Sequence, residues 1–192
     1  MIKIVLASAS PRRRQLLEWA ELNFDILSRE TPETFPEGMG REEIPVYIAR
    51  QKALAVQSLD LYKRYESNIP ILAADTIVIL DGRIMGKPES KEEAVKMLIE
   101  LSGKKHEVIT GVVIMSDTTE ISFYDTTEVE FHDIDQEDIL YYVDKYLPLD
   151  KAGAYAIQEW IGVIGIKSIK GDFYNVMGLP VSRVLRALRD HF

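Results

Sequence analysis

Residues 2–7 are apolar except for Lys3, which predicts a buried first strand. Ser10 followed by Pro11 pairs a capping residue with a first-turn proline and predicts a helix through about residue 21. Residues 23–28 alternate and predict a second strand, whereas residues 29–41 hold two prolines, two glycines and several acids and read as a loop. Ile44, Ile48, Ala55 and Leu59 then recur at helical spacing, predicting a long helix over residues 42–65. Residues 71–80 are apolar apart from Asp75 and Thr76, the pattern of a central strand, and Asp81-Gly82 is a hairpin signal. Ser90 with Glu93 forms a capping box for a helix that ends at Ser102-Gly103. Residues 108–115 and 120–131 read as a strand pair, and Asp135 as the cap of a helix running to about residue 146. A glycine-punctuated β segment at 153–171 and a closing helix at 179–190 complete the pattern.

Strands and helices alternate early, and strands are adjacent later. The fold class is therefore α/β, with a mixed central sheet flanked by helices rather than a purely parallel doubly wound one. The 192 residues suffice for a single domain, and the long loops and central hairpin suit two lobes around a deep cleft. A net charge of −8 argues against a nucleic-acid polymer as partner, since that needs a basic surface, but leaves room for a single nucleotide. The absence of cysteine excludes disulfides, zinc-thiolate sites and thiol nucleophiles, and points to the cytoplasm. The apolar start is too short for a signal-peptide core, and no run approaches the roughly 20 apolar residues of a membrane helix.

Candidate chemistry begins at Ser8-Ala9-Ser10-Pro11-Arg12-Arg13-Arg14. A helix N-terminus beside guanidinium groups suits phosphate, although a capped helix with solvated arginines has the same sequence. Asp75, set among apolar neighbours, needs a partner or a cation; it reads as a catalytic base or metal ligand, or else as a polar group bonded at the strand mouth. Lys52 shares the apolar face of its helix, so it either snorkels to water or points into a cleft. Lys87 follows a fixed turn in Gly86-Lys87-Pro88, and Glu30 lies in an acidic loop whose oxygens suit magnesium. The stretch from Asp150 to Gln158 is rich in small residues. It suits either close approach of a ligand, with the Gln158 amide on a base edge, or a tight bend.

These segments, together with Ala74-Asp75-Thr76, Leu101-Ser102-Gly103, Thr110-Gly111-Val112, Asp150-Lys151-Ala152-Gly153-Ala154-Tyr155 and Gly178-Leu179-Pro180, closely resemble the Maf family. The match runs in order from about Leu6 to Leu188. The resemblance implies a Maf/ITPase-like fold, commonly a homodimer. It also implies magnesium-dependent hydrolysis of a nucleoside triphosphate to the monophosphate and pyrophosphate. By position, Asp75 matches the family's proton acceptor; Ser8, Arg13, Lys52 and Lys87 match its phosphate-cleft residues; and Glu30 matches an acid near the metal. Arg12, Thr76 and Gln158 match the positions that mark the dTTP/UTP branch, where the branch acting on 7-methyl-GTP carries a glutamate-containing segment around the last. Ala156 stands where glycine is usual, and Glu159-Trp160 replaces a glycine-rich continuation, with Trp160 bulky enough to narrow a base pocket. Two rival readings stay open: a pyrophosphatase for 7-methyl-GTP or other non-standard purines, and a nucleotide-binding regulator of septum formation with little turnover.

Overall fold

The computed structural model describes residues 2–66 and 68–192. Strand β1 (Lys3–Leu6) pairs in parallel with β2 (Asn23–Ile26), Lys3 opposite Asn23 and Leu6 opposite Ile26. Helix α1 (Pro11–Trp19) makes the crossover that a parallel pair requires. Its start follows the predicted chemistry: Pro11 occupies the first turn, and the Ser10 hydroxyl accepts from the Arg13 N–H at 3.5 Å. On the other side of β1 lies β3 (Ile71–Leu80), also parallel, with Val5 opposite Ile71. Every residue of β3 is buried except half-buried Thr76, which explains why its sequence is a continuous apolar run and not an alternating one. Asp81 and Gly82, both at positive φ (51° and 79°), turn the chain into antiparallel β4 (Arg83–Met85), as a type I′ hairpin demands.

Helix α3 (Lys91–Leu101) begins where the capping signal places it, and the Ser90 hydroxyl accepts from the Glu93 N–H at 3.2 Å. The returning Glu93 carboxylate accepts from the Glu89 N–H at 2.7 Å, one residue upstream of the cap itself. Strands β5 (Lys105–Met115) and β6 (Glu120–Phe131) follow, then helix α4 (Gln136–Tyr146). Asp135 stands at the N-cap of α4, although its side chain makes no capping bond. The sheet order is β2-β1-β3-β5-β6-β7, where β7 is Ile166–Lys170 and β4 lies on β3, so the expected α/β architecture with a mixed sheet holds.

Two expected elements differ. The helix predicted over residues 42–65 is α2 (Glu43–Gln57), followed by a separate 3-10 turn at Tyr62–Arg64. The reason is local: the Ser58 hydroxyl donates to the Ala55 carbonyl at 2.7 Å, and the ladder tightens from Ser58 N–H on Leu54 to Leu59 N–H on Val56. Tyr62 still reaches the core, so the apolar period continues past the break. The β segment predicted over residues 153–171 is largely not β. It comprises a 3-10 turn at Ala152–Ala154, helix α5 (Trp160–Gly165) and a short strand β7 (Ile166–Lys170) antiparallel to β6. Its glycines serve close packing instead: a Cβ on Gly162 would lie 1.8 Å from the Ile157 carbonyl oxygen. A five-residue helix α6 (Phe173–Met177) precedes α7 (Val181–His191).

The chain forms two compact units. The first comprises Met1–Asp75, Thr110–Asp125 and Gly178–Phe192. Its core gathers Val5, Ala49, Ala53, Val56, Ala73 and Val113 from β1, α2, β3 and β5. Within it, Gly111 of β5 lies against the first turn of α2, where a Cβ would meet the Val46 nitrogen at 2.2 Å. The second unit comprises Thr76–Ile109 and Thr126–Met177. There His106, Phe131 and Tyr155 pack edge to face, with centroids 5.0 to 5.4 Å apart, and His106 Nε2 lies 2.7 Å from the Tyr155 hydroxyl. Burial pulls the His106 imidazole down to about 4, so it is neutral at pH 7, and burial also pushes the Tyr155 phenol up. This pair is a packing centre, and Tyr155 of the Asp150–Gln158 stretch belongs to it.

Candidate active site

The turn between β1 and α1 is held by its own side chains. The Ser8 hydroxyl accepts from the Ser10 N–H at 3.2 Å and from Arg13 Nη1 at 3.2 Å, and Arg13 Nε donates to the Gly178 carbonyl at 2.8 Å. Arg13 is thus buried and ties the start of α1 to the segment leading into α7. Burial lowers its pKa from the ordinary value, the nearby charge of Asp75 raises it, Arg12 lowers it further and Glu33 raises it. Arginine stays charged under such pressures, so a fixed cation sits in the field of two carboxylates.

Those carboxylates meet at Lys52. Its ammonium lies 2.6 Å from Asp75 Oδ1 and 2.8 Å from Glu33 Oε1. The Lys52 and Asp75 side chains are only 17% and 10% exposed, so this pair lies largely out of water. Lys52, on the apolar face of its helix, thus spends its ammonium on two carboxylates, one of them the buried Asp75. Asp75, centrally placed in β3, has found the cationic partner that its apolar setting requires.

Glu33 was not singled out in the sequence. Glu30, three residues earlier in the same loop, is exposed and makes no ion pair among the described residues; the loop acid at Lys52 is Glu33. No period or motif separates these two acids along the chain, and only the path of the loop decides which turns inward. No group of three or more His, Cys, Asp or Glu side chains able to hold a metal occurs among the described residues. Two carboxylate oxygens converging on one nitrogen are nevertheless a donor pair that fits magnesium, which is usually held by one or two carboxylates and the substrate's phosphates.

Apart from Thr76, the remaining predicted residues lie on other elements. Arg12 is half-buried on α1. Thr76 follows Asp75 in β3 and begins the second unit, and Lys87 is exposed just after β4. Gln158 belongs to the second unit, in a turn closed by the Glu159 N–H on the Ala156 carbonyl at 3.0 Å. Its side-chain oxygen is buried and has no hydrogen-bond partner among the described residues. The Trp160 ring packs edge to face on Tyr141 of α4, with centroids 4.9 Å apart.

The description "Maf-like protein" matches residues 3–191, nearly the whole chain. The chain belongs to the Maf family. A family relative from Bacteroides thetaiotaomicron, a dTTP/UTP pyrophosphatase by name, is 47% identical over 190 residues, covering 97% of this chain and 95% of that one. Another of the same name, from Cytophaga hutchinsonii, is 50% identical over 189 residues, covering 98% of this chain and 84% of that one. A weaker likeness is to the solved structure of the Staphylococcus aureus Ham1 protein, with a TM-score of 0.42 and 16% identity over 68% of this chain and 72% of that one. Within the Maf family, then, the ordered motifs of the sequence resolve into a Ser8–Arg13 turn, a Lys52–Asp75–Glu33 charge cluster and a Gln158 turn. No helix among the described residues is long and apolar enough to cross a membrane.

Proposed function

We propose that this Maf chain is a nucleoside triphosphate pyrophosphatase that hydrolyses dTTP and UTP to the monophosphate and pyrophosphate. The observation that carries the proposal is the largely buried Lys52–Asp75 pair with Glu33 on the same ammonium, since a carboxylate set in an apolar strand is costly and such charges concentrate at functional sites. The names of the relatives at 47% and 50% identity support the substrate class.

Asp75 takes the proton of the attacking water. The water oxygen bonds to the α-phosphorus, the bond from that phosphorus to the α–β bridging oxygen breaks, and pyrophosphate departs with the electron pair. Lys52 holds Asp75 Oδ1 at 2.6 Å and so fixes the carboxylate before substrate arrives. Ser8, Arg13, Lys52 and Lys87 are assigned to the phosphates and Arg12 to the choice of substrate, with Arg13 anchored by its bonds to Ser8 and Gly178. Asp75 with a loop acid, Glu30 by the resemblance or Glu33 by its place on the Lys52 ammonium, would hold magnesium, which supplies neutralisation of phosphate charge when bound.

Thr76 and Gln158 are assigned to the base. A buried carbonyl oxygen without a partner is costly, and the imide N–H of uracil or thymine is the donor it lacks. Cytosine presents an acceptor at that ring position. The same proposal includes the homodimer that the resemblance implies and the cytoplasmic setting that the cysteine-free composition suggests.

The test is pyrophosphate release, with magnesium, from dTTP, UTP, CTP, GTP, ITP and 7-methyl-GTP. Because an unmatched buried acceptor costs about 1–3 kcal/mol, dTTP and UTP should exceed CTP by roughly tenfold to a hundredfold in kcat/KM. Preference for 7-methyl-GTP would move the chain to the purine reading. Tight nucleotide binding with no pyrophosphate would favour the regulator.

A further inference from the structure

The turn that presents Gln158 is held in an unusual way. Its two ends, Ala156 and Glu159, both reach one phenolic oxygen: the Tyr142 hydroxyl accepts from the Ala156 N–H at 3.3 Å and donates to the Glu159 carboxylate. Tyr142 is fully buried in α4 and stacks on Tyr146 with centroids 5.0 Å apart, so this oxygen is a fixed point. The other oxygen of Glu159 lies 3.6 Å from the ammonium of Lys151, itself buried and paired with Asp150 at 2.7 Å. In the middle of the turn, the Ile157 carbonyl lies so close to Gly162 that no Cβ fits there. Ala156, Ile157 and Glu159 are thereby each restrained, while the Gln158 side-chain oxygen is left buried and without a hydrogen-bond partner among the described residues.

We infer that Glu159 is a positioning residue for base selection: through Tyr142 and Lys151 it fixes the turn from Ala156 to Glu159, so that the Gln158 oxygen stays aimed at an incoming imide N–H. The inference rests on the assignment of Gln158 to the base. It also gives a use to the position where this chain departs from the glycine-rich continuation of its branch. A restrained acceptor discriminates between donors and acceptors, whereas a mobile amide can rotate to suit either. Glu159 touches no substrate in this account and acts by holding its neighbours in the turn.

The test compares kcat and KM for dTTP, UTP and CTP in the full chain and in Glu159→Ala, Glu159→Gln, Tyr142→Phe and Gln158→Ala, with the melting temperature of each. Glu159→Ala and Tyr142→Phe should raise KM for dTTP and UTP about tenfold, change kcat less than about threefold and leave CTP almost unaffected. Glu159→Gln keeps an acceptor for Tyr142 and should restore most of the preference. Equal losses on all three nucleotides would assign Glu159 a structural role and overturn the inference. If Gln158→Ala abolishes the preference while a folded Glu159→Ala keeps it, the positioning role alone fails. If Gln158→Ala leaves the preference intact, the base assignment fails and the inference falls with it. Should Glu159→Ala not fold, Tyr142→Phe and Glu159→Gln give the same discrimination.

Discussion

Asp75→Asn is expected to reduce kcat by on the order of 10²- to 10⁴-fold while the protein still folds, because removing a positioned general base costs about that much. Asparagine has the size of aspartate and keeps an oxygen for the Lys52 ammonium, which also retains Glu33 at 2.8 Å. The loss of one charge from a largely buried pair then leaves no isolated cation, the situation that makes such substitutions severely destabilising. Stability should fall by roughly 1 kcal/mol, and the melting temperature by about 2–4 °C for a chain of this size. Circular dichroism melting beside single-turnover kinetics separates the two effects. Near-normal turnover in a folded Asp75→Asn protein would remove Asp75 from the role of base.

The second large effect concerns folding. In Gly111→Ala the new Cβ would lie 2.2 Å from the Val46 nitrogen, 2.3 Å from the Pro45 carbonyl carbon and 2.7 Å from the Pro45 oxygen. All three atoms are backbone in the first turn of α2, so no side-chain rotation relieves the clash. Overpacking within a core costs about 1–3 kcal/mol, and a displaced helix places this case at or above the upper end. A melting temperature lower by roughly 6–12 °C is the expected result, read by thermal or urea unfolding. Gly111 lies in the Thr110-Gly111-Val112 motif of the family, and the geometry explains that glycine by close packing without any contact to substrate. A Gly111→Ala protein with unaltered melting would show that the helix is not held against β5 as tightly as described.

What was legible along the chain, and what was not, follows from how local each signal is. The apolar run of β3, the Asp81-Gly82 hairpin and the Ser10 cap depend on adjacent residues and appear as expected. The end of α2 is marked by Ser58 bonding back to Ala55 and by the ladder tightening at Leu59, although the apolar period runs on to Tyr62. The glycines between residues 153 and 171 fit a punctuated strand, and only the proximity of Ile157 to Gly162 shows that they permit a turn against a helix.

The site divides in the same way. Asp75 and Lys52 carried a visible conflict between charge and apolar surroundings, and each resolves the other's. Glu33 carried no such conflict, since an acid in an acidic loop looks solvated until the chain path brings it to Lys52. Tyr142 lies fourteen residues before Ala156, in a helix whose sequence is that of an ordinary amphipathic element, so its hold on the Gln158 turn has no sequence signal.

Hydrolysis of dTTP in water enriched in ¹⁸O tests the central claim most directly, with mass spectrometry of both products after a single turnover. Attack at the α-phosphorus predicts one labelled oxygen in the monophosphate and none in the pyrophosphate. Label in the pyrophosphate, or release of inorganic phosphate in its place, would contradict the account.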